Sequence, residues 1–283
     1  MHFALIGHPV SHSFSAQYLN TRFQNEGIDA HYELIDLPDI AEFTTLIQSG
    51  KYDGFNVTIP HKKTIIPYLD SLSPEAAAVG AVNVIQIIKT HDITNSSPVL
   101  GEVSKGRRGS LHLIGHNTDI IGFHETLTPL LKPYHTHAVI LGTGGASQAV
   151  QYVLNKLNIP FKLITHAQLD TNTITQLAPI IINTTPLGMH PNTDSAPNID
   201  YNQLTDKHLL YDLVYTPIET KFLRVGAQHG ATIQNGLAML HSQADEALKI
   251  WLKNTHSHCV FNTKILPSRH ATFKHPSSKK TDT

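Results

Sequence analysis

The feature that most constrains the fold is a short apolar segment, residues 139–141, which runs directly into a glycine-rich turn and then into a helical pattern. An unbroken apolar segment ahead of such a turn is typical of a buried strand in a parallel sheet. Glycines permit the tight turn and let a diphosphate approach backbone N–H groups at the start of the helix. The segment predicts a dinucleotide-binding unit, although a plain glycine-rich turn has the same composition. Its candidate cofactor-binding residues are Gly142, Gly144, Gly145, Ala146 and Ser147.

Strand-like and helical patterns alternate along the rest of the chain, which predicts the α/β class with parallel βαβ units. The predicted strands lie at residues 3–6, 32–37, 54–59, 82–88, 111–114, 161–164, 180–182 and 209–213. The predicted helices lie at residues 15–25, around 46–47, and at 119–131, 146–155 and 236–251. The strands at 82–88 and 111–114 form a predicted hairpin, because the stretch between them is polar and rich in turn residues.

This pattern predicts two domains and a terminal extension. We expect a first α/β domain over residues 1–120 and a Rossmann-like nucleotide-binding domain over residues 121–235. The helix within residues 236–253 is expected to pack back on the first domain. Residues 254–283 lack hydrophobic periodicity and carry an excess of basic side chains, so we expect a disordered basic tail on an otherwise acidic chain.

Charge and composition exclude several classes of protein. The 21 basic and 22 acidic side chains give a net charge of -1, which lacks the basic excess of a general nucleic-acid binder. One cysteine rules out a disulfide framework or a cysteine-rich zinc module, and the dispersed histidines show no metal-ligand spacing. No apolar run reaches bilayer length, and the first residues lack the basic start of a secretion signal. We therefore expect a soluble, cytoplasmic protein with no metal, membrane or nucleic-acid partner.

Four polar clusters follow predicted strands in the first half of the chain. They contain Ser13 and Ser15, then Asn56 and Thr58 with Lys62 shortly after, then Asn83, and finally Asp119 at a helix start. The serines and Asp119 are also ordinary helix N-caps, so single clusters leave both interpretations open. In open parallel sheets ligands bind at the carboxyl ends of strands, where these side chains are expected to lie. Taken together, the four clusters need an explanation beyond helix capping, and ligand binding at the strand ends would supply one.

These segments resemble the shikimate dehydrogenase family, whose motifs they follow in order. The matching segments are residues 7–15 (GHPVSHSFS), 56–62 (NVTIPHK), 80–83 (GAVN), 115–119 (GHNTD), 142–147 (GTGGAS), 183–189 (NTTPLGM), 211–215 (YDLVY) and 235–243 (NGLAMLHSQ). No single motif is decisive, but this set in one order is specific.

The resemblance implies NADPH-linked, reversible reduction of 3-dehydroshikimate to shikimate, on the route to chorismate and the aromatic amino acids. It implies that the first domain binds the substrate and the second binds NADP, in a monomer or homodimer. By position, the implied catalytic pair is Lys62 and Asp119. The implied substrate-binding residues are Ser13, Ser15 and Tyr215 around the carboxylate, and Asn56, Thr58, Asn83 and Gln243 at the ring hydroxyls. Thr165, Leu213 and Gly236 join the glycine-rich turn as implied cofactor-binding residues.

The adenosine end of the predicted cofactor site departs from the family pattern. Related sequences carry an arginine after the second nucleotide-domain strand, where it holds the 2′-phosphate. This chain has Thr165 there and no arginine between Gly109 and Leu223, and Gln148 stands where a basic residue is common. The segment between residues 164 and 183 is also short, which predicts a somewhat shortened domain. We therefore expect a weakened preference for NADP over NAD. The alternatives are an NAD(P)-dependent quinate/shikimate dehydrogenase and a non-catalytic module that binds shikimate or a nucleotide.

Overall fold

Two β-sheets organise the chain. The computed structural model describes residues 1–11, 13–89, 111–165 and 178–253. Its strands are β1 (His2–Gly7), β2 (His31–Asp36), β3 (Gly54–Val57), β4 (Ser71–Leu72), β5 (Val84–Lys89), β6 (Leu111–His116), β7 (Ala138–Leu141), β8 (Phe161–Ile164), β9 (Ile180–Asn183), β10 (Leu209–Asp212) and β11 (Thr232–Gln234). Its α-helices are α1 (Ser15–Glu26), α2 (Phe43–Gln48), α3 (Pro74–Val79), α4 (Asp119–Leu127), α5 (Gly145–Lys156), α6 (Lys221–Gln228) and α7 (Leu237–Leu252).

The first sheet is mixed, with strand order β2-β1-β3-β5-β6-β4. β1 pairs in parallel with β2 and β3, whereas β5 runs antiparallel to both β3 and β6. The β5–β6 pairing confirms the predicted hairpin, and its tip falls in residues 90–110, outside the described residues. β3 ends at Val57 rather than at residue 59, because the chain turns there and His61 N–H donates to Thr58 O at 2.8 Å. Lys62 lies in this turn, directly after β3.

The second sheet is parallel throughout, with strand order β11-β10-β9-β7-β8. Every residue of β7, β9 and β10 is buried, as expected for parallel strands covered on both faces. Side chains of α4 and α5 form the core on one face, and those of α6 on the other. The Rossmann-like prediction is confirmed, and β11 and α6 were not predicted. The predicted shortening concerns residues 166–177, which lie outside the described residues.

Helix α7 returns to the first sheet, as predicted for the last helix. The indole of Trp251 stacks on Phe3 with ring centroids 4.4 Å apart, and its Nε1–H donates to Ile85 O at 3.0 Å. A Cβ on Gly54 would lie 2.4 Å from that indole nitrogen, so only glycine admits the ring here. The C-terminal end of α7 therefore packs into the core of the first sheet, and the N-terminal part of α7 packs on α4.

One predicted helix is shorter than expected. α4 ends at Leu127, and residues 128–130 continue as a 3₁₀ helix instead of extending α4 to residue 131. Pro129 explains the change, because proline has no backbone N–H to continue the α-helical ladder.

Neither a membrane-spanning helix nor a metal-ligating cluster was found in the part of the chain that the structure describes. No helix there is long and apolar enough to cross a bilayer. No three histidine, cysteine, aspartate or glutamate side chains converge there as a metal site would require. The predicted tail, residues 254–283, lies outside the described residues.

Candidate active site

Asn83 is the centre of a buried hydrogen-bond network between the first sheet, α4 and α7. Its Nδ2 lies 3.0 Å from Asp119 Oδ1 and 3.0 Å from Gln243 Oε1. Its Oδ1 accepts the backbone N–H of Thr118 at 2.7 Å. The Asn83 residue is 3% exposed, so the amide is locked in one orientation by its partners. Three residues predicted from distant motifs, Asn83, Asp119 and Gln243, are thus brought into direct contact.

Lys62 and Asp119 form an ion pair beside this network. Lys62 Nζ donates to Asp119 Oδ2 at 2.5 Å, and the two side chains are 15% and 2% exposed. The backbone helps to fix the lysine, because Val82 N–H donates to Lys62 O at 2.7 Å. A Cβ on Gly145 would lie 3.4 Å from Lys62 Cβ, so the lysine stands directly against the glycine-rich turn of the second sheet. The pair therefore lies between the two predicted binding regions.

Asn56 and Thr58 line the same edge of the first sheet. Asn56 Nδ2 donates to Asn83 O at 3.1 Å, and Asn56 Oδ1 accepts from the Tyr32 hydroxyl at 2.6 Å. Burial raises the pKa of the Tyr32 hydroxyl well above its usual range, so it remains a donor. The Thr58 methyl packs where a side chain on Gly7 would be. Tyr32 was not predicted, since in the sequence it is only one aromatic residue in a strand.

Ser13, Ser15 and Tyr215 form a second polar group at the start of α1. Ser13 Oγ donates to Ser15 Oγ at 3.2 Å and accepts the Ser15 backbone N–H at 3.3 Å. Burial raises the pKa of the Tyr215 hydroxyl, and its hydrogen bond with Ser13 acts in the opposite direction. The Tyr215 ring also meets Phe14 edge-on at 6.1 Å. Tyr215 follows β10, so this contact joins the start of α1 in the first half of the chain to the end of a strand in the second sheet.

The glycine-rich turn has the geometry of an open diphosphate site. Gly142 has a φ of +108°, and a Cβ there would lie 2.6 Å from Thr184 Oγ1. Gly144 is the N-cap of α5 without a side-chain cap, and a Cβ there would meet nothing within 4 Å. The first N–H groups of α5 therefore have no side-chain cap at the N-cap position, as a helix start that binds an anion requires. The Ser147 side chain is fully buried and accepts from Gln151 Nε2 at 3.2 Å, so its hydroxyl points into the protein.

The three remaining cofactor candidates follow the carboxyl ends of β8, β10 and β11. Leu213 and Gly236 are in backbone contact, because a Cβ on Gly236 would lie 2.1 Å from Leu213 O. Thr165 follows β8, next to the point where Gly142 N–H donates to Ile164 O at 3.0 Å. Leu213, Gly236 and Thr165 thus lie at the same end of the second sheet as the glycine-rich turn, the end formed by the carboxyl termini of its parallel strands.

Asp212 is a buried acid that the sequence did not single out, although it lies within the YDLVY segment. Its Oδ1 accepts from Asn183 Nδ2 at 2.9 Å and from Val214 N–H at 3.0 Å, and its Oδ2 accepts from the Thr220 hydroxyl at 2.6 Å. Burial raises the pKa of Asp212 from 3.8 to about 6, although these hydrogen bonds lower it. The carboxyl group thereby ties together the segments that follow β9 and β10.

Replacing Asp212 by asparagine is expected to flatten the dependence of stability on pH. Because the folded pKa exceeds the unfolded one, the stabilisation is complete below about pH 4 and is lost as pH rises through about 6. The unfolding free energy of Asp212→Asn, relative to the parent chain, should rise by about 3 kcal/mol between pH 4 and pH 7. Urea titrations at both values measure it, with the exposed Asp206→Asn as control. Equal pH slopes for Asp212→Asn and the parent chain would contradict the assignment.

The fold and this site define a class of protein. A parallel sheet with an open glycine-rich turn, placed against a lysine–carboxylate pair and a buried amide network, is the arrangement of a dinucleotide-dependent dehydrogenase with a separate substrate domain. Comparison with known proteins agrees. The family model for the shikimate dehydrogenase substrate binding domain matches residues 5–85.

Relatives and solved structures cover most of the chain. The shikimate dehydrogenase (NADP(+)) of Staphylococcus epidermidis is 36% identical over 274 residues, which cover 89% of this chain and 92% of that protein. The crystal structure of Thermus thermophilus shikimate 5-dehydrogenase with NADP(H) and shikimate is 29% identical, with a TM-score of 0.72 over 89% of this chain and 93% of that one. A Listeria monocytogenes shikimate 5-dehydrogenase in complex with shikimate and NAD is 26% identical, with a TM-score of 0.66 over 88% and 91% of the two chains. The chain belongs to the shikimate dehydrogenase family, which confirms the resemblance seen in the sequence.

Proposed function

We propose that the protein catalyses the reversible, NADPH-dependent reduction of 3-dehydroshikimate to shikimate, within the chorismate pathway of aromatic amino acid synthesis. The observation that carries the proposal is the Lys62–Asp119 ion pair, 2.5 Å long and placed against Gly145 of the glycine-rich turn. Residues 1–120 act as the substrate domain, residues 121–235 as the NADP domain, and residues 236–253 as the returning helix.

Lys62 is the proton donor in this proposal. When bound, NADPH supplies the hydride that adds to the ketone carbon. The carbonyl oxygen then needs a proton, and the Lys62 ammonium donates it to give the alcohol, while solvent later returns a proton to the amine. Asp119 Oδ2 accepts from Lys62 Nζ and holds the ammonium in place, while Asp119 Oδ1 accepts from the Asn83 amide. In the reverse direction, the neutral amine of Lys62 accepts the proton of the shikimate hydroxyl.

The remaining polar residues recognise a polyol acid. Ser13, Ser15 and Tyr215 present their hydroxyl groups together at the start of α1, where they bind the substrate carboxylate. Asn56, Thr58, Asn83 and Gln243 address the ring hydroxyls. Neutral amides and hydroxyls suit such a substrate, because an analogue without a hydroxyl leaves a buried partner unpaired.

The residues around the second sheet fit a dinucleotide. The uncapped start of α5 and the open space at Gly144 can hold a diphosphate through Gly144, Gly145, Ala146 and the Ser147 backbone. Gly142 permits the turn, and Thr165, Leu213 and Gly236 flank it. NADP is the cofactor of the named relatives, and NAD stands in the Listeria complex. The missing arginine supports additional use of NAD by this chain.

Purified protein assayed for oxidation of shikimate tests the proposal and its alternatives. We expect turnover with NADP, and a preference for NADP over NAD of at most about tenfold, because a charged hydrogen bond to the 2′-phosphate contributes about 2 kcal/mol that this chain lacks. Quinate is the matched second substrate, and comparable turnover of it would favour a quinate/shikimate dehydrogenase. Thermal stabilisation by shikimate or NADP without turnover would favour a non-catalytic module. A strong preference for NADP would contradict the expected use of NAD.

We also propose that the protein works in the cytoplasm, as a monomer or homodimer, without a nucleic-acid partner. Its balanced charge and single cysteine support this setting. Its partners are the small-molecule substrate and the cofactor.

A further inference from the structure

Gln148 makes a contact between the two sheets that the proposed chemistry does not use. It lies in the first turns of α5, directly after the glycine-rich turn. In the amide orientation that satisfies both ends, Gln148 Nε2 donates to Val79 O at 3.0 Å, and Gln148 Oε1 accepts from Lys63 Nζ at 2.9 Å. Both partners belong to the first half of the chain. One side chain on the nucleotide-binding helix therefore spans two separate segments beside the substrate pocket.

Each of those segments leads to a residue of the site. Lys63 directly follows Lys62 in the turn after β3. Val79 ends α3, and the chain reaches Asn83 four residues later. The two segments are also joined to each other, because Val82 N–H donates to Lys62 O at 2.7 Å. The Gln148 amide therefore restrains both segments, the one that carries Lys62 and the one that leads to Asn83.

The two hydrogen bonds of Gln148 supply a donor to the Val79 carbonyl and an acceptor to the Lys63 ammonium. The last carbonyls of a helix have no intrahelical partner, and Val79 O at the end of α3 is one of them. Gln148 supplies its donor. The oxygen of the same amide accepts from the Lys63 ammonium. A basic side chain at position 148 would instead repel that ammonium. The departure from a basic residue noted in the sequence thus fits the lysine at position 63.

We propose that Gln148 is a positioning residue for Lys62, acting as a hydrogen-bonded tie that fixes the Lys62 turn and the Asn83 segment against the glycine-rich turn. The inference rests on the proposed function. Lys62 Cβ lies 3.4 Å from the Cβ that Gly145 lacks, so a small movement of either turn changes the distance between the proton donor and the cofactor site. Reaction rates are sensitive to such displacements even when the binding contacts persist.

Gln148→Ala is expected to lower kcat for shikimate oxidation about tenfold, with Kd for shikimate and for NADP each within about twofold of the parent chain. Gln151→Ala is the matched control, because Gln151 lies one turn along the same helix and its side chain donates to Ser147 Oγ of that helix. A second variant, Gln148→Lys, should lower kcat further by placing two ammonium groups together. Adding Lys63→Glu to Gln148→Lys should recover most of that further loss.

Hydrogen exchange provides a readout that needs no catalysis. In Gln148→Ala, amide exchange should quicken in peptides that cover residues 59–66 and 79–83, while peptides from β9 and β10 keep the parent rates. If the parent chain shows no activity, faster exchange in Gln148→Ala than in the parent chain would still support the tie. Failure of the proposed function and failure of this inference are therefore distinguishable. Exchange and kcat equal to those of Gln151→Ala would overturn it. A rise in Kd for NADP with unchanged kcat would also overturn it, because Gln148 would then be a nucleotide contact.

Discussion

Replacing Lys62 by alanine is expected to lower kcat for shikimate oxidation by about 10²- to 10⁴-fold, the range that a positioned acid or base contributes. The Kd for shikimate should change far less. Alanine removes the ammonium that donates the proton, but it leaves Asn56, Asn83 and Gln243 in place for the ring hydroxyls. A spectrophotometric NADP assay gives kcat, and a thermal-shift titration with shikimate gives the binding. Near-parental turnover would show that Lys62 is not the proton donor.

Two further variants identify what Lys62→Ala removes. Lys51→Ala is the surface control. Lys51 lies between α2 and β3, its ammonium pairs with Glu33 of β2, and its side chain is 48% exposed. It should leave kcat unchanged. Asp119→Asn keeps the shape of the carboxyl group and removes its charge, so it should lower kcat less than Lys62→Ala does. Equal losses in Lys51→Ala and Lys62→Ala would indicate a general effect of lysine removal.

The elements of this fold that the sequence predicted well are those that local pattern determines. β7 and β9 are short apolar strands buried along their whole length, and the hairpin of β5 and β6 is marked by the polar stretch between its strands. The Gly142 turn was also predicted, because its glycines stand between an apolar segment and a helical pattern. The structure explains the first of them, since Gly142 has a positive φ and lies close to Thr184. β11 and α6 were not predicted. β11 has three residues, too few to show a periodicity. α6 does carry a recognisable signal, because Phe222, Leu223 and Gly226 share its buried face and Thr220 caps its start.

The residues of the candidate site likewise fall into those that the sequence predicted and those that it did not. Motif order implied which residues belong together, and the contacts of Lys62, Asp119, Asn83 and Gln243 agree with that grouping. The supporting contacts could not be predicted, because each depends on the packing of segments far apart in the chain. Tyr32 on β2 reaches Asn56 on β3 across the one strand between them, β1. Gln148 was noted only as a departure from the family, and its bridge to Lys63 and Val79 requires the arrangement of both sheets.

Replacing Trp251 by alanine is expected to reduce the free energy of unfolding by about 3–5 kcal/mol, as large-to-small changes of buried aromatic residues do. Trp251 is 4% exposed, stacks on Phe3 and fills the space above Gly54. Alanine would leave a cavity between α7 and the first sheet and remove the donor to Ile85 O. Urea unfolding followed by far-ultraviolet circular dichroism measures the change, because Trp251 is the single tryptophan and its fluorescence is lost in the variant.

The companion variants separate the cavity from the hydrogen bond. Trp251→Phe keeps a ring against Phe3 but lacks the indole donor, so we expect a loss of about 1–2 kcal/mol. Lys249→Ala, whose side chain is 65% exposed on the same helix, should change stability by less than about 0.5 kcal/mol. Because α7 also carries Gln243, Trp251→Ala should weaken shikimate binding in conditions where the variant is still folded. Stability within about 1 kcal/mol of the parent chain would mean that the end of α7 does not anchor the helix to the first sheet, and that Gln243 is positioned instead by the packing of α7 on α4 and by its contact with Asn83.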